Sequence, residues 1–247
     1  MITEYKRPAT LEEALELLSQ PDTYPLGGGT LLSKKKGGSF TAVDLQALGL
    51  DQIRKAGQKF EIGATVTLGR LLESPHIPSS LAEALLSETP LNLRNMGTVA
   101  GTLVICDGRS TFATAMLALD AKLTLVGPAA GSLGLGDFLP VRASLPHGSL
   151  ITKVVIPLNG KLTFEMVART PRDRPIVCAA LAQWPSGRTR LALGGWGDAP
   201  LLAMDGNEPG GVESAARNAF ADAGDEWASP EYRSEIAAVL AKRCLEK

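Results

Sequence analysis

Two stretches of this chain are built almost without side chains, and they are where chemistry could be housed. Gly27-Gly28-Gly29-Thr30 follows a short extended run. Arg94-Asn95-Met96-Gly97-Thr98-Val99-Ala100-Gly101-Thr102 combines small residues, hydroxyls and one cation. Glycines permit positive φ and let an anion approach backbone N–H groups closely. By itself each stretch reads as a plain structural loop or as an anion-binding nest. Neither carries Gly-x-Gly-x-x-Gly or Gly-Lys-Ser/Thr, so a dinucleotide fingerprint and a P-loop are both absent. Taken together, the two offer many amides and few titratable groups. That suits cradling a large phosphate-bearing cofactor better than acid–base work.

Other clusters carry less. Lys34-Lys35-Lys36 could help hold a pyrophosphate or be a solvated loop. Gly194-Gly195-Trp196-Gly197-Asp198 reads as a sheet turn, and Arg169, Arg172, Asp173 and Arg174 as a charged turn between strands. Asp107 is a minor candidate near the second glycine stretch, and Asp120 is structural. His76 and His147 are the only histidines, and Cys106, Cys178 and Cys244 form no CxxC pair. That leaves no local motif for an iron–sulfur cluster or a zinc, so no metal ligand is assigned. No catalytic side chain is assigned either. Any redox chemistry must be carried by an organic cofactor.

The elements that must position these loops come next. The 247 residues, 45% hydrophobic and 21% charged, suffice for a sizeable core and rule out a disordered chain. Net charge is −1 and aromatics are 5%, which argues against a nucleic-acid surface. No apolar run reaches the length of a membrane span, and the opening residues lack a signal-peptide core, so a cytoplasmic protein is expected. Thr10-Leu-Glu-Glu13 and Ser80-Leu-Ala-Glu83 read as capping boxes opening helices. Residues 40–45 and 60–68 read as strands, 91–102 as a loop, 111–119 as a buried helix and 121–126 as a strand. From about 149 the texture changes to strands joined by short polar turns, at 150–156, 163–169, 176–184 and 189–193, favouring an antiparallel sheet. Two helices follow at 212–223 and 230–245, the second with Ser229 as cap and Pro230 at its first position. The fold class is α+β, with a boundary near residue 155.

In order along the chain, these segments resemble the FAD-binding medium subunit of the xanthine dehydrogenase and carbon monoxide dehydrogenase family of molybdenum hydroxylases. Tyr5-Lys-Arg-Pro-Ala-Thr-Leu-Glu-Glu-Ala14 is similar to the family's start, and Ile62-Gly63-Ala64-Thr65-Val66-Thr67 to one of its strands. Leu26-Gly27-Gly28-Gly29-Thr30-Leu31-Leu32 resembles its first flavin loop, and Arg94 to Thr102 its second. Leu117 to Ala121, Leu191 to Gly195 and Ser229 to Arg233 resemble later segments. The resemblance implies a two-subdomain FAD-binding fold of the PCMH/VAO-like type over residues 1–155. A small C-terminal α+β domain with an antiparallel sheet and helices would follow over 156–247. It implies FAD held by Leu26, Gly27, Gly28, Gly29, Thr30, Leu31, Thr98, Val99, Ala100, Gly101, Thr102 and Thr111. It also implies a small 2Fe–2S partner, a large molybdopterin partner, and an oxidoreductase subunit that passes electrons from the clusters to an external acceptor. The chain departs from the family pattern at Ala100-Gly101-Thr102, where Gly-Gly-Asn is usual, at Thr111, where Asp is common, and at Leu31, where a polar residue is common. The alternative is a relative that keeps the scaffold without flavin and serves as an assembly or interaction subunit. The second loop separates the two readings.

Overall fold

The computed structural model describes residues 1–34 and 38–247. In chain order the elements are β1 (Ile2–Lys6), α1 (Leu11–Leu18), β2 (Thr23–Leu26), β3 (Phe40–Asp44), β4 (Ile53–Ala56) and β5 (Lys59–Gly63). Four short helices follow, α2 (Leu68–Leu72), α3 (Ser79–Glu88), α4 (Leu91–Arg94) and α5 (Val99–Ile105), then α6 (Thr111–Ala118). Next come β6 (Lys122–Val126), β7 (Gly131–Gly134), α7 (Leu135–Val141), β8 (Leu150–Pro157), β9 (Lys161–Val167), β10 (Val177–Gln183), β11 (Thr189–Gly194) and β12 (Leu201–Gly206). The helices α8 (Val212–Ala219) and α9 (Pro230–Glu246) end the chain.

Contacts divide these elements into two compact units that interleave in sequence. The first comprises Met1–Pro75, Leu91–Ile105 and Lys122–Val155, and the second His76–Pro90, Cys106–Ala121 and Ile156–Lys247. The first unit holds a three-stranded sheet in the order β1-β3-β2, with both pairings parallel. It also holds a five-stranded sheet in the order β4-β5-β8-β6-β7. Helix α1 packs Ala14 and Leu18 against Val43, Leu45 and Leu150. Its start is the capping box read from sequence: Thr10 Oγ1 accepts the Glu13 amide at 3.2 Å. The Glu13 carboxylate takes the amide of Ala9 at 2.9 Å, one residue before the cap.

The second unit is an antiparallel sheet in the order β12-β11-β10-β9 with helices on both faces. Strand β10 is buried from Val177 to Ala182, the continuous apolar run expected of a strand covered on both sides. Val177, Ala179 and Leu181 pack with Phe220, Ala237, Leu240 and Ala241 of the C-terminal helices. On the opposite face, Cys178 Sγ sits 3.7 Å from Thr114 Oγ1 of α6. Helix α6 is buried all round, and its two hydroxyls, on Thr111 and Thr114, donate to the Ala84 and Ser110 carbonyls.

Several sequence expectations need correction. Ser80-Leu-Ala-Glu83 is not a capping box: α3 starts at Ser79, with Pro78 at the cap position and no side-chain cap bond. The strand expected over 60–68 ends at Gly63, because Thr67 caps α2 by accepting the Arg70 amide at 3.2 Å. The loop expected over 91–102 contains α4 and the first turn of α5. Strands β1, β4, β7 and β12 carry no alternation that the sequence reading recognised.

Candidate functional site

The second glycine stretch is fixed by its own backbone. An isolated bridge pairs Thr67 with Thr98. The Leu68 amide donates to the Gly97 carbonyl at 2.9 Å, and the Val99 and Ala100 amides donate to Val66 at 2.8 Å and Ala64 at 3.2 Å. Thr98 then caps α5, its Oγ1 accepting the Gly101 amide at 3.2 Å. The Thr102 amide and hydroxyl both donate to the Thr98 carbonyl, each at 2.8 Å. Every amide from Val99 to Thr102 is therefore committed inside the protein.

The first stretch is arranged in the opposite way. Among the described residues, no backbone acceptor receives the amides of Gly28, Gly29, Thr30 or Leu31. Gly29 stands at φ +71°, the left-handed region that glycine tolerates. Gly28 passes so close to the second stretch that a Cβ there would lie 1.6 Å from the Met96 carbonyl oxygen. A Cβ on Gly27 would meet Thr98 Oγ1 at 3.0 Å. The two stretches thus touch, and glycine is required where they touch.

Both line one cavity of about 390 Å³ in the first unit. Gly27, Gly28, Gly29, Thr30 and Leu31 reach it from the first stretch, and Thr98, Ala100 and Gly101 from the second. Strand residues Pro25, Leu125 and Ile151 complete apolar walls from both sheets. A further wall, which the sequence reading missed, is the segment after α7, where Arg142, His147 and Ser149 line the space. Among the described residues, Ser149 Oγ is buried without a hydrogen-bond partner. No isolated motif flags that segment; only its place beside β8 brings it to the cavity. The described lining contains one guanidinium and no carboxylate. Open amides, an orphaned hydroxyl and a wall free of negative charge fit an anionic, phosphate-bearing ligand with an apolar ring system.

Four sequence-selected residues lie apart from that lining. Leu26 ends β2, where its carbonyl accepts the Leu45 amide at 3.1 Å. Val99 is fully buried, and Thr102 turns its hydroxyl back into α5. Thr111 belongs to the second unit, fully buried, its hydroxyl donating to the Ala84 carbonyl at 2.6 Å. Beside it the buried Glu88 carboxylate accepts the Ser110 hydroxyl and the Phe112 amide, both at 2.9 Å, and so closes the start of α6. Burial pushes the Glu88 carboxyl above its usual range.

The remaining clusters are structural in the second unit. Gly195 donates to Gly108 at 2.6 Å and Gly108 to Gly197 at 2.8 Å, so the 194–198 glycines are tied to the backbone at Gly108. Asp120 pairs with Arg188 at 2.9 Å and Asp107 with Arg174 at 2.7 Å. Lys35, Lys36 and the Lys34 side chain lie outside the described residues. Cys106, Cys178 and Cys244 are buried and form no disulfide. Burial pushes Cys178 and Cys244 up to about 12. No group of three metal-ligating side chains occurs among the described residues, and no described helix is long and apolar enough to cross a membrane.

The chain is similar to known proteins over most of its length. The family described as FAD binding domain in molybdopterin dehydrogenase matches residues 1–159. An uncharacterized protein of Escherichia coli K12, YgfM, is 29% identical over 97% of this chain and 94% of its own length. The carbon monoxide dehydrogenase medium chain of Afipia carboxidovorans is 26% identical, over 99% of this chain and 96% of its own. A chain in the crystal structure of the Cu,Mo-CO dehydrogenase in its cyanide-inactivated form superposes with a TM-score of 0.83. It is 25% identical, and the match covers 100% of this chain and 97% of that one.

Proposed function

The chain belongs to the family of FAD-binding domains of molybdopterin dehydrogenases, and from that premise we propose that it is the electron-transfer subunit of a three-part molybdenum hydroxylase. It is a medium-type, FAD-using oxidoreductase subunit with an α+β fold. In our reading it receives electrons from the iron–sulfur clusters of a small 2Fe–2S chain, which a large molybdopterin chain feeds, and delivers them to an external acceptor. The relative from Afipia carboxidovorans is a medium chain, which supports an assembly of unequal partners. When bound, FAD supplies reversible redox chemistry that side chains lack.

The observation that carries the reading is that Gly28 to Leu31, whose amides have no described backbone acceptor, line a cavity whose described lining has no carboxylate. These amides hold the pyrophosphate. Thr98 holds the two glycine stretches in register, and Ala100 and Gly101 supply a wall thin enough for close approach. Ser149 offers its unpartnered hydroxyl, and Pro25, Leu125 and Ile151 exclude water from the ligand's apolar part. In this reading the flavin carries the redox step and substrate selection falls to the large partner.

Purified chain titrated with FAD, followed by flavin fluorescence and absorbance near ~450 nm, tests the first half of this reading. Uptake of one flavin per chain is expected. Bound flavin should stay oxidised when a hydroxylatable substrate is added to this chain alone, and become reduced once the small and large chains from the same source are present. A chain that takes up no FAD, or that comes from its host alone and colourless, overturns the proposal.

A further inference from the structure

The three described sheets present six edge strands, and five of these are blunted against the addition of a further strand. Strand β2 carries Pro25, and β7 is a short run bounded by Gly131 and Gly134. Strand β4 presents adjacent cations at Arg54 and Lys55. In β9, Lys161 donates to the Lys247 carbonyl at 2.7 Å, and Glu165 is paired with the Lys247 ammonium. The charge on β12, Asp205, is held by Arg188 and Arg190. Strand β1 differs from all of them. Its five residues, Ile2-Thr3-Glu4-Tyr5-Lys6, are exposed throughout and include neither proline nor glycine. It pairs with β3 on one side, and among the described residues no backbone group of Ile2–Lys6 bonds anywhere else.

The side chains of β1 divide by face. Tyr5 and Arg7 both reach Asp44, Tyr5 through its hydroxyl and Arg7 through Nε at 3.7 Å. Glu4 and Lys6 alternate with them on the other face, where they pair with each other at 3.3 Å. A register shift between Ile2 and Glu4 sets a bulge at Thr3, so the regular part of the strand is Glu4 to Lys6. That segment is complementary to itself. When two copies meet antiparallel with Tyr5 opposite Tyr5, each Glu4 faces the other copy's Lys6, and both charged pairs are matched. A slip of two residues either way sets Glu4 against Glu4 or Lys6 against Lys6. We propose that the β1 edge pairs with the β1 edge of a second copy of this chain, joining two three-stranded sheets across a two-fold axis. A strand of unrelated sequence has no reason to match both charges, whereas self-pairing matches them by symmetry. The seam is short, so the dimer is weak and concentration-dependent. The inference stands apart from the flavin site and holds whichever redox reading of that site is correct.

Sedimentation of the full chain at low salt, over about 5 to 300 μM, tests it. A monomer–dimer equilibrium is expected. Glu4→Lys and Lys6→Glu should each weaken the dimer by ~5-fold or more, because each sets like charges opposite one another twice. An equimolar mixture of the two variants matches every Glu with a Lys between chains and none within a chain. It should associate as the parent does. On the unaltered chain, amide exchange over residues 2–6 should slow as concentration rises. A chain monomeric throughout, amide exchange that ignores concentration, or a mixture that associates no better than its components overturns the inference. So does a dimer indifferent to both variants, which would place the contact on another surface.

Discussion

The two glycine stretches of the first unit look interchangeable as sequence and are opposites as structure. From Gly28 to Leu31 the amides meet no described backbone acceptor, whereas from Val99 to Thr102 every amide is paired, three with carbonyls and Gly101 with the Thr98 hydroxyl. The first stretch offers donors to a ligand. The second, bolted to residues 64–68, offers shape. Small residues therefore serve two ends: exposing N–H groups to an anion, and letting two pieces of backbone pass within contact distance. In the proposed reading, that separation lets a chain with Ala100 and Thr102, where the resemblance leads us to expect Gly and Asn, still hold a flavin. These two departures fall in the stretch whose amides are already committed.

The largest effect should come where the stretches touch. A side chain at Gly28 collides with the Met96 carbonyl, a backbone atom that cannot rotate away. Gly28→Val should cost about 3 kcal/mol in urea unfolding, the upper range for overpacking, and lower FAD affinity by at least ~100-fold. A variant that unfolds like the parent and keeps its flavin would show that the two stretches are not held together.

The second effect isolates the bolt. Thr98→Val removes the acceptor for the Gly101 amide while keeping the volume. Loss of a helix cap that leaves an amide unpaired costs ~2 kcal/mol. Thr98→Ser should restore most of it. Because the donors lie in the other stretch, FAD affinity should fall less than stability does; a fall of affinity with stability intact would move the phosphate to α5.

Gly29→Ala probes the open stretch without a collision. The added Cβ would meet only Leu26 Cδ1, at 3.4 Å, but must occupy φ +71°. The strain is about 1 kcal/mol. Flavin affinity should drop ~5-fold by titration while Gly49→Ala, at φ +65° away from the cavity lining, loses similar stability with no change in flavin binding.

How much of this was legible depends on how local the determinants are. The caps at Thr10 and Ser229 and the buried run of β10 were readable because partners lie within a few positions, or because both faces are apolar. The start of α5 was not. Val99-Ala100-Gly101-Thr102 looks like loop, and what makes it helix is Thr98 together with acceptors at Ala64 and Val66, supplied by a distant segment. The glycine stretches were recognisable as a site by composition, but which one carries the donors was not. Free and committed amides have the same sequence. The wall from Arg142 to Ser149 was invisible for a related reason, since its residues reach the cavity only through the placing of β8 beside β6.

The smallest effect is the most informative about the comparison. Ala100→Gly with Thr102→Asn restores the family residues. If the second stretch bore the phosphate, removing a methyl and regaining an amide side chain would tighten FAD binding by about 2 kcal/mol. The structure lowers that expectation. The Ala100 amide is held by the Ala64 carbonyl, so glycine there frees no donor. The residue is only 8% exposed, so its methyl presents little surface to the cavity. Asparagine at 102 surrenders the hydroxyl bond to Thr98 and can add at most one hydrogen bond, ~1 kcal/mol. Glycine inside α5 also costs ~0.5–1 kcal/mol of helix stability. The double variant should therefore bind FAD no more than ~5-fold tighter, with a urea midpoint slightly below the parent's. Tightening of ~30-fold or more, about 2 kcal/mol, would reverse the assignment and make α5 the anion-binding element, with the first stretch serving as the spacer.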